Sequence, residues 1–377
     1  MDFYQIQTMK LIVQLVVWNG KKYLPYLFDS LAAQTLKDWH LMILDNGSSD
    51  GSAEWLERHA HEAGAPYTFQ AQSENSGFAG GHNMLFKKSR AEFSGASYVL
   101  LLNQDMYAEP DCFKKILAFA ERHTDAGAFS PRLMRWNFSA LAAVSPEALV
   151  RGGTDGALEQ SKTNFVDTLG LKACSTRRVI DWLTGRLYSD ALLVPYARRR
   201  NDGGVEVFGV SGALPLYRVS ALHSALCDGN LFDPDYGSYK EDVDLAWRLR
   251  LAGWRAFTVL DAVAYHDRTA AGPQDTSDRA ARAQYQKKPD YVRSQSYRNH
   301  LLTLFKNELW QNLLIDGVSI FWYELKKFGY LLVRHPHLLA RAWYDIIRLL
   351  PRTFKKRREA MHHKKIGWMI LRRWWDV

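Results

Sequence analysis

The chain has 377 residues and a formal net charge of +9; at 47% hydrophobic and 13% aromatic it is too apolar for a disordered polymer, and its length holds one large domain plus an appendage. Three cysteines (Cys112, Cys174 and Cys227) without metal-ligand spacing argue against a disulfide frame and for a reducing compartment. The polar Met1 to Lys10 stretch has no signal-peptide pattern, no apolar run reaches the length of a membrane span, and no internal repeat is apparent, so a cytoplasmic location is expected.

Lys10 to Trp18 is a β-rich apolar run, and Leu24, Leu27, Phe28 and Leu31 then recur at helical spacing, so the chain opens as strand then helix. A second strand, Trp39 to Leu44, ends in Asp45-Asn46-Gly47-Ser48-Ser49-Asp50-Gly51-Ser52, before a helix opened by Trp55 and Leu56. Asp50 or Ser52 suits a helix cap, while Asp45 at the strand end faces the ligand crevice of an open sheet. A short strand near Tyr67 to Gln72 precedes a Gly-rich helix start, Glu74 to Asn83, whose glycines let a backbone approach a ligand closely but match no P-loop or dinucleotide fingerprint.

The fourth strand, Tyr98 to Leu102, stops at Asn103-Gln104-Asp105. An amide and a carboxylate at such a strand end hold a hard divalent cation, which needs an anionic partner such as a diphosphate; the same residues also favour a plain turn. The alternation predicts the nucleotide-binding half of a doubly wound α/β sheet. Arg135 to Glu206, with Asp167-Thr168-Leu169-Gly170-Leu171 and Arg198-Arg199-Arg200, shows no clear period. Glu241-Asp242-Val243-Asp244 opens a helix that stops at Gly253, where the helix dipole favours acids whatever the function. Val259 to Tyr265 reads as a strand ending in His266.

Fourteen Lys/Arg against four acids give the stretch Trp322 to Val377 a net +10, so the remainder is near neutral. Leu339, Ala342, Trp343, Ile346, Ile347 and Leu350 line one helix face, and Trp368, Trp374 and Trp375 lie among basic residues. Aromatic and cationic residues on such helices suit an anionic membrane surface; a cap packed on the catalytic part is the alternative, and no nucleic-acid motif is present.

Six ordered motifs carry a family resemblance: Val16-Val17-Trp18-Asn19, Leu44 to Ser52, Asn75 to Asn83, Leu101 to Asp105, Val210-Ser211-Gly212-Ala213 and Glu241 to Leu245. Their order resembles the inverting family 2 glycosyltransferases, and most closely the rhamnosyltransferase-like branch, over roughly residues 10 to 270. The resemblance implies a GT-A fold, an α/β sheet flanked by helices, over 1–270, and a nucleotide-diphospho-sugar donor with Mg²⁺ or Mn²⁺, while the charge and helix faces of the tail make 271–377 a helical, basic, membrane-associating extension. It makes Asp45 the carboxylate that reads the base, with Asn19, Asn75, Gly80, Asn103 and Gln104 in the donor site. Asp105 and His266 become metal ligands; Asn103 stands where the family's metal motif has its first acid, which lowers the site's charge. Asp242 becomes the base that deprotonates the acceptor hydroxyl, with Ser211, Gly212 and Glu241 beside the acceptor. The expected reaction moves a sugar, first rhamnose from dTDP-rhamnose, to a glycan or lipid-linked acceptor in cell-surface polysaccharide synthesis. The alternatives are galactofuranose, mannose or N-acetylglucosamine from a UDP or GDP donor, or a non-catalytic glycan-binding scaffold.

Overall fold

The structure, a computed structural model, describes residues 9–142, 154–268 and 289–375. Its first part is the expected alternation: β1 (Leu11–Val17), α1 (Leu24–Ala32), β2 (Trp39–Asp45), α2 (Ser52–His59), β3 (Tyr67–Ala71), α3 (Gly77–Glu92) and β4 (Tyr98–Asn103). These strands pair in parallel in the order β4-β1-β2-β3. β1, β2 and β4 are apolar almost throughout because helices cover both faces of a parallel sheet. Leu24, Leu27, Phe28 and Leu31 of α1 fill one layer, and Leu85 and Phe86 of α3 fill the other.

The second part completes a mixed sheet. β5 (Met106–Ala108), α4 (Cys112–Arg122), β6 (Ala126–Trp136) and β7 (Lys162–Thr168) are followed by a separate hairpin of β8 (Leu171–Ala173) and β9 (Val179–Asp181). Then come β10 (Arg200–Asn201), β11 (Gly204–Glu206), β12 (Leu216–Arg218), α5 (Glu241–Leu251) and β13 (Arg255–His266). β12 runs antiparallel between β4 and β6, and β13 lies parallel to β6, so Asp105 after β4 and His266 at the end of β13 reach the same side of the sheet. The α/β architecture predicted from the pattern is therefore present, with the last strand beginning at Arg255 rather than Val259.

The C-terminal helices are α6 (Asp290–Asn307), α7 (Trp310–Arg334), α8 (Pro336–His362) and α9 (Trp368–Arg372). Their packing corrects one expectation. Leu339, Ala342 and Ile346 of α8 pack on Tyr297 and Leu301 of α6 and on Tyr236, and Trp375 is 2% exposed, its ring 5.0 Å from that of Trp247 in α5. These side chains are core because α5 and Phe208 leave an apolar face that the tail covers, while Arg177 and Arg250 stack on Trp375 and Trp374. Apolar side chains also face outward: on α7 Leu314, Val318 and Phe321 are 74%, 73% and 61% exposed, and Ile347 of α8 and Met369 of α9 are exposed as well. Among the described residues no helix is long and apolar enough to cross a membrane.

A buried ionic cluster joins these helices to the sheet domain. The Lys306 ammonium of α6 is fully buried between Asp233 and Asp244, and Asp244 also pairs with Arg248 at 2.9 Å. Lys356 of α8 reaches Asp233 and Asp235, and Asn307 donates to Asp244 at 2.8 Å. Removing one partner from such a cluster strands the others in a low-dielectric interior. Lys306→Ala is expected to cost about 3–5 kcal/mol, read as a lower urea midpoint, whereas removing the exposed Arg348 cation should move it by less than about 1 kcal/mol.

Candidate active site

A cavity of about 1150 Å³ opens at the carboxyl ends of β1 and β4 and runs to the C-terminal helices. Of the residues singled out in the sequence, Asn75, Asn103, Gln104, Asp105, Ser211, Gly212, Glu241, Asp242 and His266 line it, and Asn19, Asp45 and Gly80 do not. Trp18, half exposed, also lines it.

The residues behind the wall hold loops. Asn19, with φ of 50°, accepts a hydrogen bond from the Ser49 N–H at 2.8 Å and gives its own N–H to Ser48 Oγ at 3.0 Å. Asp45 is 1% exposed; its Oδ2 accepts from the Ser48 N–H at 3.0 Å, and its Oδ1 has no protein partner, a buried acceptor of the kind a nucleobase N–H would satisfy. Asp50 Oδ1 accepts from the Ser52 N–H, while the cap position itself is Gly51, with φ of 84°. Asn46 ties the two loops together, donating to Asn75 Oδ1 and Gly77 O and accepting from the Ser76 N–H. Gly80 is free of a side chain because a Cβ there would lie 2.9 Å from that of Ser76, and Gly81 because it would meet Val16; packing, not ligand approach, requires both. The Gln104 amide is used on the backbone of Trp18, accepting from its N–H and donating to its carbonyl.

Asp105 and His266 converge, Oδ1 to Nε2, at 3.4 Å. The other imidazole nitrogen faces Asp167 at 2.9 Å, and Arg268 links Asp167 to Asp181. Burial disfavours charge on His266, but Asp105 and Asp167 outweigh it and raise its pKa to about 10. Asp167, the penultimate residue of β7, lies in a segment whose sequence shows no clear period, so no role is legible for it there, unlike Asp105 after its apolar strand. One carboxylate and one imidazole, the latter oriented by a second carboxylate, are a donor set that fits a divalent cation sharing a diphosphate. Among the described residues no group of three or more potential metal-ligating side chains gathers, so the remaining ligands would come from substrate or water.

The acid pair sits on the first turn of α5. Asp242 accepts from the Val243 N–H at 2.8 Å and the Gly212 N–H at 3.3 Å. Burial raises its pKa, while Lys240 and these N–H groups oppose the rise. Glu241 is 8% exposed and its Oε2 has no partner; burial and then the Asp242 charge push its carboxyl up to about 8. Two non-glycine residues in left-handed backbone, Tyr239 (φ 72°) and Lys240 (φ 73°), lead into this helix. Such backbone persists only where surroundings hold it. Here Asn299 of α6 holds it, its amide nitrogen lying 3.0, 3.0 and 2.7 Å from the carbonyls of Tyr236, Ser238 and Tyr239. Nothing in the sequence around Asn299 marks it, since its partners are far along the chain.

The folded chain keeps a proton on Glu241 that the unfolded chain releases above about pH 4.5, so the associated stability is full below that pH and is lost as pH rises through about 8. Glu241→Gln is expected to flatten the decline in melting temperature between pH 5 and 8, a change read directly by calorimetry.

The sequence model described as Glycosyl transferase family 2 matches residues 13–137. A search of curated proteins finds no match. Among solved structures, the chain is similar to S. aureus TarS 1-349 in complex with UDP, at 14% identity and a TM-score of 0.50 over 94% of this chain and 89% of that one. It is also similar to GalNAc-T7 with UDP, GalNAc and Mn²⁺, at 9% identity and a TM-score of 0.53 over 79% of this chain. The chain spans about half of two longer structures it matches, 45% of S. aureus TarS and 48% of GalNAc-T7. Together these matches give the chain the fold of GT-A glycosyltransferases, with a match to Glycosyl transferase family 2 across residues 13–137.

Proposed function

We propose that the protein is an inverting glycosyltransferase that moves a sugar from a nucleotide-diphospho-sugar to an acceptor hydroxyl. The observation that carries this reading is one cavity whose wall bears both the Asp105–His266 pair and the Glu241–Asp242 pair. Asp105 and His266 would hold Mg²⁺ or Mn²⁺ with the donor diphosphate, and that ion would supply charge neutralisation for the leaving group. Asp242, fixed by two backbone N–H groups, accepts the proton of the acceptor hydroxyl as its oxygen attacks the anomeric carbon from the face opposite the diphosphate. Glu241, protonated near neutral pH, donates to a sugar oxygen rather than competing for that proton. Asp45, buried behind the wall with one free acceptor oxygen, reads the base through the loop it anchors.

The donor sugar is carried by resemblance alone. dTDP-rhamnose comes first, and UDP or GDP sugars follow; UDP occupies the TarS and GalNAc-T7 structures. The proposal extends to a location on the cytoplasmic face of a membrane and to a glycan or lipid-linked acceptor in polysaccharide synthesis. What supports this location is the outer face of α7 together with the exposed Arg348, Arg352 and Lys355 of α8.

Asp242→Asn keeps the size and the N–H contacts but cannot take a proton, so turnover should fall by about 10²- to 10⁴-fold with nucleotide affinity unchanged. Near-normal turnover in this variant would remove Asp242 from the role. Asp105→Ala should abolish the Mn²⁺-dependent part of UDP or dTDP binding in a calorimetric titration, and unaltered metal dependence would remove the ion from that pair. For the membrane, Leu314→Glu with Phe321→Glu should leave the melting temperature in place, because both side chains are exposed, and should sharply reduce co-flotation with anionic vesicles.

A further inference from the structure

α7 carries two opposed faces. Tyr323, Lys326, Lys327 and Tyr330 follow the i, i+3, i+4, i+7 spacing of a single helix face, and all four line the cavity. Leu314, Val318, Phe321, Leu325 and Leu332 fall half a turn away and are 41–74% exposed. At the cavity wall Lys326 and Lys327 share the space with Arg178, from the turn between β8 and β9, and Lys240, from the strained turn before α5.

Among the described residues, two carboxylates near these cations are already engaged, while Glu241 and Asp242 of the same cavity follow Lys240 directly in the chain. Glu324 lies 2.7 Å from His300 Nε2 and 3.2 Å from Lys327 Nζ, and Asp181 pairs with Arg268 at 2.6 Å. Burial, reinforced by the charges of Lys240 and Arg178, brings the Lys327 pKa down to about 8 in spite of Glu324. Like charges are thus gathered on an aromatic wall, with Lys327 Nζ 5.2 and 5.0 Å from the ring centres of Tyr297 and Tyr323. An anion entering here would relieve that crowding, and the Asp105–His266 pair that would serve the donor diphosphate belongs to other elements of the wall.

We infer that this end of the cavity is a subsite for a phosphate-bearing, lipid-anchored acceptor, held by Arg178, Lys240, Lys326 and Lys327 while the outer face of α7 rests on the lipid from which the acceptor rises. The inference rests on the sugar-transfer reading of the cavity. A helix is about 10 Å across, so the cations stand about that far above the apolar layer, the level of a lipid phosphate and the first sugar on it.

The test uses the full chain and three probes in calorimetric titrations: dodecyl phosphate, dodecyl maltoside and inorganic pyrophosphate, each with and without saturating UDP. Dodecyl phosphate is expected to bind in the presence of UDP, and Lys327→Met or Arg178→Gln is expected to weaken it by about 10- to 100-fold while UDP affinity holds; Lys327→Arg should retain it. Dodecyl maltoside, with the tail but no phosphate, should bind no better to the wild type than to these variants. Retained UDP affinity also shows that each variant is folded. If UDP binds but dodecyl phosphate does not, or if the variants leave its affinity unchanged, the subsite is overturned and the transferase reading stands. Pyrophosphate binding that UDP displaces and Lys327→Met abolishes would assign these cations to the donor and also overturn the subsite. Dodecyl phosphate binding without any nucleotide binding would instead remove the transferase reading and leave the anionic subsite.

Discussion

The buried ammonium of Lys306 is the constraint around which the C-terminal half is organised. A single charge in a dry interior is unaffordable without opposite charge in contact, so Asp233 and Asp244 must come to it from two different loops and helices. Asp244 belongs to the same first helical turn as Glu241 and Asp242, and Asp233 lies in the loop that leads to Tyr239 and Lys240. Lys356 and Arg248 then balance the carboxylates that Lys306 alone does not neutralise. The ionic cluster therefore fixes where α6 and α8 dock and, through them, the helix that carries the acid pair. Hydrophobic burial around Tyr236, Leu301 and Ile346 provides area, but area does not set register; the charges do.

The acid pair and the imidazole pair are tuned by opposite means. Around His266 two carboxylates overcome burial and favour the charged ring, a setting that a cation can replace. Around Glu241 burial and a neighbouring negative charge favour the neutral acid, while Asp242, one residue on, receives two N–H groups. Burial raises the pKa of both adjacent acids, and at Asp242 Lys240 and the two N–H groups oppose that rise.

The first half of the fold was legible because β1, β2 and β4 are continuous apolar runs and α1 shows its core stripe at clean helical spacing. Strand-end acids were legible for the same reason: Asp45 and Asp105 interrupt such runs abruptly. Asp167 was lost because β7 alternates weakly and sits between stretches without a period. In the tail, basic residues beside Trp368, Trp374 and Trp375 look like a membrane signature, yet Trp375 is buried against Trp247 and Phe208, and Arg177 and Arg250, from far upstream, stack on Trp375 and the half-buried Trp374. Sequence spacing cannot tell a Trp that meets lipid from one that meets Phe208, because the partner lies more than a hundred residues away. Gly80 shows the same limit on a smaller scale, since a missing side chain records a close approach without saying to what.

The clamp that Asn299 places on three carbonyls before α5 bears on the order in which the protein becomes competent. During synthesis the parallel sheet emerges first and has its own core, so the strand ends around Asp45 and Asp105 can take shape while the rest of the chain is still being made. The turn through Tyr239 and Lys240 has no such independence; its left-handed residues wait for an amide some sixty positions further on, and that helix in turn waits for Lys356 to complete the charge balance. A ribosome-bound or prematurely ended chain would then have the strand ends around Asp45 and Asp105 in place while the turn that leads into the acid pair still lacks the amide that holds it.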